Sequence, residues 1–98
     1  MAYSLIWSPS ARLDFWDLLR YIAEFDPKAA AKFGQGVFDA LERLPHFPES
    51  GRIVPEFEDP TIREIMRRPC RIVYRVKHDE QLVEVARVWH AARGIPEI

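Results

Sequence analysis

The 98-residue chain is predicted to fold as one α+β domain spanning 1–98, a two-helix hairpin packed on one face of a mainly antiparallel, twisted sheet of four to five strands. Three observations carry this prediction. Residues 9–44 show apolar side chains at three- and four-residue spacing, interrupted once by an aspartate-proline pair. Residues 62–90 show short β-prone runs with period-two alternation. A single β-prone run, 3–7, precedes the helices, so the element order is β-α-α-(β)-β-β-β.

The first run, "AYSLIWS", ends at Ser8-Pro9, where Ser8 can cap a helix and Pro9 needs no amide donor. The helix expected over 9–25 places Ala11, Phe15, Leu18, Leu19 and Ile22 on one face, with Asp14, Asp17, Arg20 and Glu24 mostly elsewhere. Asp26-Pro27 repeats the signal and opens a helix over 27–44, with Ala30, Phe33, Val37, Ala40 or Leu41, and Leu44 as its stripe. Gly34 and Gly36 inside it each cost ~1 kcal/mol relative to alanine, so close packing against the first helix or the sheet is expected there. Residues 45–61 carry four prolines and form a loop, with one short edge strand over 52–57. Strands follow over 62–67, 71–77 and 81–90.

Composition narrows the function. At 48% hydrophobic and 30% charged residues, the chain is an ordinary globular sequence with a net charge of −1. The lone Cys70 cannot form an internal disulfide, which fits a reducing cytoplasm, and no Cys/His cluster has zinc spacing. No cofactor or metal is therefore expected. No cleavable export signal and no membrane span is legible. Charge is unevenly placed, however. Residues 61–77 hold Arg63, Arg67, Arg68, Arg71, Arg75 and Lys77 against Glu64 alone. With Arg52 included, arginines outnumber lysine six to one in this stretch, favouring the forked geometry that suits carboxylates and phosphates.

Strand parity then predicts a shared face. An Asp79-Glu80 turn pairs Val76 with Val83, Tyr74 with Val85, Ile72 with Arg87 and, on the other face, Arg75 with Glu84 and Arg71 with Val88. A loop of Arg68, Pro69 and Cys70 pairs Arg67 with Arg71, Ile65 with Val73 and Arg63 with Arg75. Arg63, Arg67, Arg71, Arg75, Lys77 and His90 are thereby expected on one open face around a floor of Ile65, Val73, Ala86 and Val88. A two-residue turn would instead flip strand 62–67. Tyr74 and Trp89 are expected in the core. Arg87, on the helix-covered side, should reach Asp14 or Asp17, and Glu64, also on that side, a nearby arginine. His46 and His78 are expected in solvent, and Arg93 on a tail free to reach a partner or a phosphate.

In order, "SARLDFWDLLRYIAEFDPKAAAKF", "LPHFPESGR", "IREI", "RIVYRV" and "VARVWHAAR" resemble the RelE/ParE superfamily of toxins from type II toxin–antitoxin (plasmid stabilisation) modules, closest to the ParE-like branch. The resemblance implies a cognate antitoxin whose acidic or amphipathic C-terminal segment wraps the toxin. It implies one of two activities. A ParE-like toxin inhibits DNA gyrase by binding alone. A RelE-like toxin cleaves mRNA on the ribosome, which here would use His90 as acid or base and Arg71 and Arg75 as phosphate holders, with Glu84 or Glu64 assisting. The lysine-rich active set of part of the RelE branch has no counterpart here. A third possibility is a domain that binds antitoxin but has lost toxicity. The arginine face with Arg93 is in every case the expected contact surface.

Overall fold

The computed structural model describes residues 2–98. Strand β1 (Ser4–Trp7) leads into helix α1 (Pro9–Phe25) and helix α2 (Pro27–Leu41), followed by β2 (Arg52–Ile53), β3 (Ile62–Arg67), β4 (Cys70–Lys77) and β5 (Leu82–His90). A 3-10 turn, Ala91–Arg93, precedes the C-terminal residues. The five strands form one sheet in the order β1-β5-β4-β3-β2, antiparallel except for the β1–β5 pair. No helix among the described residues is long and apolar enough to cross a membrane.

Local chemistry sets the helix ends. Ser8 is extended, and its hydroxyl accepts from the Ala11 amide at 3.0 Å, with Pro9 as first helical residue. Asp26 closes α1 and opens α2 alone: its amide donates to the Ile22 carbonyl, and its Oδ1 accepts from the Lys28 and Ala29 amides. A one-residue joint forces the helices into a hairpin. Both glycines of α2 are close approaches, as expected. A Cβ at Gly34 would sit 3.2 Å from Leu19 of α1, and one at Gly36 would overlap the Arg67 guanidinium from β3. Helix α2 stops at Leu41 rather than at 44: Pro45 has no amide to donate to the Leu41 carbonyl, which accepts instead from the Leu44 amide at 3.1 Å in a tighter turn.

The hairpin buries Ala11, Phe33, Val37, Leu41 and Leu44 against Ile72, Tyr74, Val76, Val83, Val85 and Val88. Each Val, Leu, Ile or Phe side chain among them contributes about 1.5–3 kcal/mol by leaving water. Tyr74 is a core residue with its hydroxyl at the margin, donating to the Pro48 carbonyl and accepting from the Gly51 amide. It thereby pins the proline-rich loop to the sheet.

Two register features overturn the expected shared face. The β3–β4 hairpin closes through Arg68 and Pro69 only, so Arg67 pairs with Cys70, Ile65 with Ile72 and Arg63 with Tyr74. One residue fewer in the turn exchanges the two faces of β3. Arg63, Ile65 and Arg67 move to the helix side, while Glu64 pairs with Val73 and Met66 with Arg71 on the far side. In the β4–β5 hairpin, Val76–Val83, Arg75–Glu84 and Tyr74–Val85 pair as expected, and then a β-bulge intervenes. Ala86 has no partner, and its carbonyl accepts from the Ser8 hydroxyl at 2.8 Å. Beyond it Val73 pairs with Arg87, Ile72 with Val88, Arg71 with Trp89 and Cys70 with His90. His90 therefore lies on the helix side, and Arg87 and Trp89 on the far side, the reverse of the expectation.

Candidate functional site

On the sheet's far side, Arg71 of β4 pairs with Trp89 of β5 and lies diagonally across from Glu64 of β3, whose direct partner is Val73. Glu64 has a side chain 0% exposed, a state a carboxylate tolerates only when fully paired. Its Oε1 accepts from Arg71 Nε and its Oε2 from Arg52 Nε, both at 2.6 Å. The two terminal nitrogens of Arg71 then donate to the two oxygens of Glu56 at 2.7 and 2.8 Å. All three guanidinium nitrogens of Arg71 are thus committed to carboxylates. The bidentate bond from Arg71 holds the Glu56 carboxyl down from 4.5 to about 2, and the same partners push the Arg71 guanidinium up.

Because the Glu56 carboxyl titrates lower in the folded chain, its contribution is complete above pH 4.5 and is lost as pH falls through about 2. Replacing Glu56 with Gln should leave an acid unfolding curve that is flatter between those values, measured by circular dichroism. A curve superimposable on wild type would show that the pair does not form.

The far side is not open, as the sequence reading had it. The C-terminal residues fold back over it: the Gly94 carbonyl accepts from Trp89 Nε1 at 3.2 Å, and the Glu97 carbonyl accepts from Arg87 Nη1 at 2.9 Å. Arg87 and Arg93 both lie against the Trp89 ring, 4.9 and 3.8 Å from its centroid, a cation–π arrangement. Arg93 is therefore tethered in place, not held out on a free tail. Arg87 also forks onto Asp14 of α1 at 2.7 and 2.8 Å, the ion pair expected from sequence. Asp14 can be reached because β1 ends beside Val85, leaving an edge where the Val88 amide also donates to Asp14.

The remaining expected residues are dispersed. Arg75 and Lys77 share Glu84 at 3.5 and 3.7 Å. Arg63, on the helix side, donates to the Pro60, Glu49 and Gly51 carbonyls and laces the loop to β3. His90 Nδ1 accepts from the Ala92 amide, and the ring borders a shallow cleft of about 210 Å³ with Asp14, Asp17, Leu18, Val88 and Arg93. Cys70 beside it is buried, and burial pushes its thiol up to about 11. His78 is at the surface, bonded to the Tyr3 hydroxyl at 2.7 Å, and His46 is exposed. Glu56 was the residue missed. It sits in a loop with no periodicity, and its only sequence signal was an acidic residue near a run of arginines.

Residues 5–95 match the family model described as ParE toxin of type II toxin-antitoxin system, parDE. The chain is 34% identical over 92 residues to Toxin RelE1 of Caulobacter vibrioides, covering 92% of this chain and 95% of that one. It is 30% identical over 89 residues to Toxin RelE2 of the same organism, covering 91% and 96%. Among solved structures, a chain of a chromosomal ParDE toxin–antitoxin system from P. aeruginosa superposes with a TM-score of 0.73 at 23% identity, covering 91% of this chain and 96% of that one. A chain of the RelBE2 toxin–antitoxin complex from Mycobacterium tuberculosis does so with a TM-score of 0.59 at 21% identity, covering 92% and 99%. These likenesses extend over nearly the whole length, and the two structures share the fold.

Proposed function

The chain belongs to the ParE toxin family of type II toxin–antitoxin systems, and from that premise we propose that it arrests growth by binding DNA gyrase and is neutralised by a cognate antitoxin. One observation carries the choice of a binding toxin over a nuclease. Arg71, one of the two arginines expected to hold a scissile phosphate, turns all three of its guanidinium nitrogens to Glu56 and Glu64. A phosphate holder must present free donors to the charge that develops in the transition state. Arg75 is likewise shared with Glu84, and His90 lies on the opposite side of the sheet from both arginines. The three residues that would serve a ribonuclease are not assembled as one. Binding to a large enzyme requires only a complementary surface.

The test is to induce the chain in cells with and without the antitoxin encoded beside it. Growth arrest with DNA-damage signalling, intact mRNA and undiminished toxicity of His90→Ala is the expected result. Arrest with mRNA cut within codons on the ribosome would overturn the gyrase target. Normal growth would indicate a domain that has lost toxicity.

A further inference from the structure

Arg67 differs from the other basic residues of the sheet. Arg52, Arg63, Arg71, Arg75, Lys77 and Arg87 each meet a carboxylate. Arg67 has no carboxylate partner among the described residues, and its Nε is buried with no hydrogen-bond acceptor. A buried donor without an acceptor is a standing cost to the free chain. The guanidinium lies against α2 at Gly36, where any side chain would overlap it. A glycine in mid-helix weakens α2, yet here it makes room for one arginine.

That arginine borders a cleft of about 460 Å³ between α2 and β3, lined by Gly36, Asp39, Ala40, Arg43, Ile65 and Arg67. Ala40 and Ile65 supply an apolar floor. Arg43 is exposed and also borders the neighbouring cleft beside Phe47, itself 66% exposed, and Pro48. The only acidic lining residue, Asp39, is engaged by Gln35 Nε2 at 2.9 Å. Two arginines against one aspartate leave a surplus of one positive charge, which suits one carboxylate. The Asp39 and Glu49 carboxylates bordering the two clefts oppose a polyanion such as nucleic acid.

We propose that this cleft is a socket for one acidic side chain of the antitoxin, taken up by Arg67 and Arg43, while flanking apolar residues of the same amphipathic segment cover Ile65 and Phe47. The inference rests on the proposed antitoxin binding and adds its charge determinant. The bound carboxylate gives the Arg67 guanidinium, at its cleft-facing edge, the ion-pair partner that it lacks among the described residues. Gly36 is a positioning residue, because it sets where the guanidinium rests.

The test measures affinity of the immobilised chain for the purified antitoxin at several salt concentrations, beside the melting temperature of each free variant. Arg67→Met and Gly36→Ala should weaken binding at least about tenfold and flatten its salt dependence, while Arg68→Met should not. Removing a buried donor that has no acceptor should leave the melting temperature of Arg67→Met equal to or above wild type, whereas an arginine serving the fold would lower it. One Asp or Glu of the antitoxin, when changed to its amide, should cost affinity against wild type and nothing against Arg67→Met. Unchanged affinity for Arg67→Met overturns the socket and leaves the proposed function standing. So does a loss that no antitoxin carboxylate shares, or a loss confined to oligonucleotide binding. Failure of the wild-type chain to bind the antitoxin overturns both.

Discussion

Replacing Arg71 with alanine should destabilise the chain by about 3–5 kcal/mol, the range observed when one partner of a buried ion pair is removed. Glu64 would keep only Arg52, whose own side chain is 58% exposed, and its inner oxygen would face the protein unpaired. Glu56 would lose its anchor as well, freeing the segment between β2 and β3. In a chain of this size a loss of that order lowers the melting temperature by more than about 12 °C, readable by far-ultraviolet circular dichroism. Exchanging the whole pair, with Arg71→Met and Glu64→Leu together, should restore much of the loss, since no buried charge is then left alone. An Arg71→Ala protein melting alongside wild type would show that water reaches Glu64. The consequence for function is direct: lost toxicity in Arg71→Ala reports a lost fold. His90→Ala removes only an acceptor for one turn amide, so it is the substitution that tests chemistry cleanly.

Trp89→Ala should cost a similar amount, about 3–5 kcal/mol for a buried aromatic side chain. Its indole is 2% exposed and does three things: it packs beside Arg71, it is flanked by Arg87 and Arg93, and it holds the Gly94 carbonyl. Without it the residues after His90 lose their principal anchor. Trypsin should then cut after Arg93 far faster than in wild type, and the melting temperature should fall. Trp89→Phe keeps most of the ring but not the N–H donor, so it should lose about 1 kcal/mol and only part of the tail's protection. Equal digestion rates in all three proteins would mean that the tail is held by Arg87 and Asp14 and not by the tryptophan.

The helices were legible because capping chemistry is local. Ser8-Pro9 and Asp26-Pro27 mark both starts, and α1 spans Pro9–Phe25 as the spacing predicts. The two C-terminal hairpins and the Arg75–Glu84 pairing were legible for the same reason, since opposite charges and short turns act between near neighbours; the place of β1 beside β5 was not. The site was not, because a side chain's face depends on counting residues through turns. A two-residue link at Arg68-Pro69 and a bulge at Ala86 each exchange the faces, and neither leaves a mark in residue type. The bulge is held by Ser8, distant in sequence, so no local pattern could reveal it. Arg87 found Asp14 despite the face reversal, because the exposed strand edge lets a long side chain reach around. The excess of arginine over lysine did report carboxylates, but largely the chain's own.

The parallel pairing of β1 with β5 has a consequence for how the chain is made. Ser8 and Ala86 are bonded although 78 positions apart, and the first strand has no other strand to join. On the ribosome the N-terminal strand and the helical hairpin emerge early, while the sheet that covers them waits for β5 at residues 82–90. Distant pairings of this kind close slowly and leave apolar surface uncovered meanwhile. Trp7, Phe15, Val37 and Leu41 therefore stay without their sheet until those β5 residues have been made. A partner already present in the cell can meet the chain during that interval, before any toxic surface has formed.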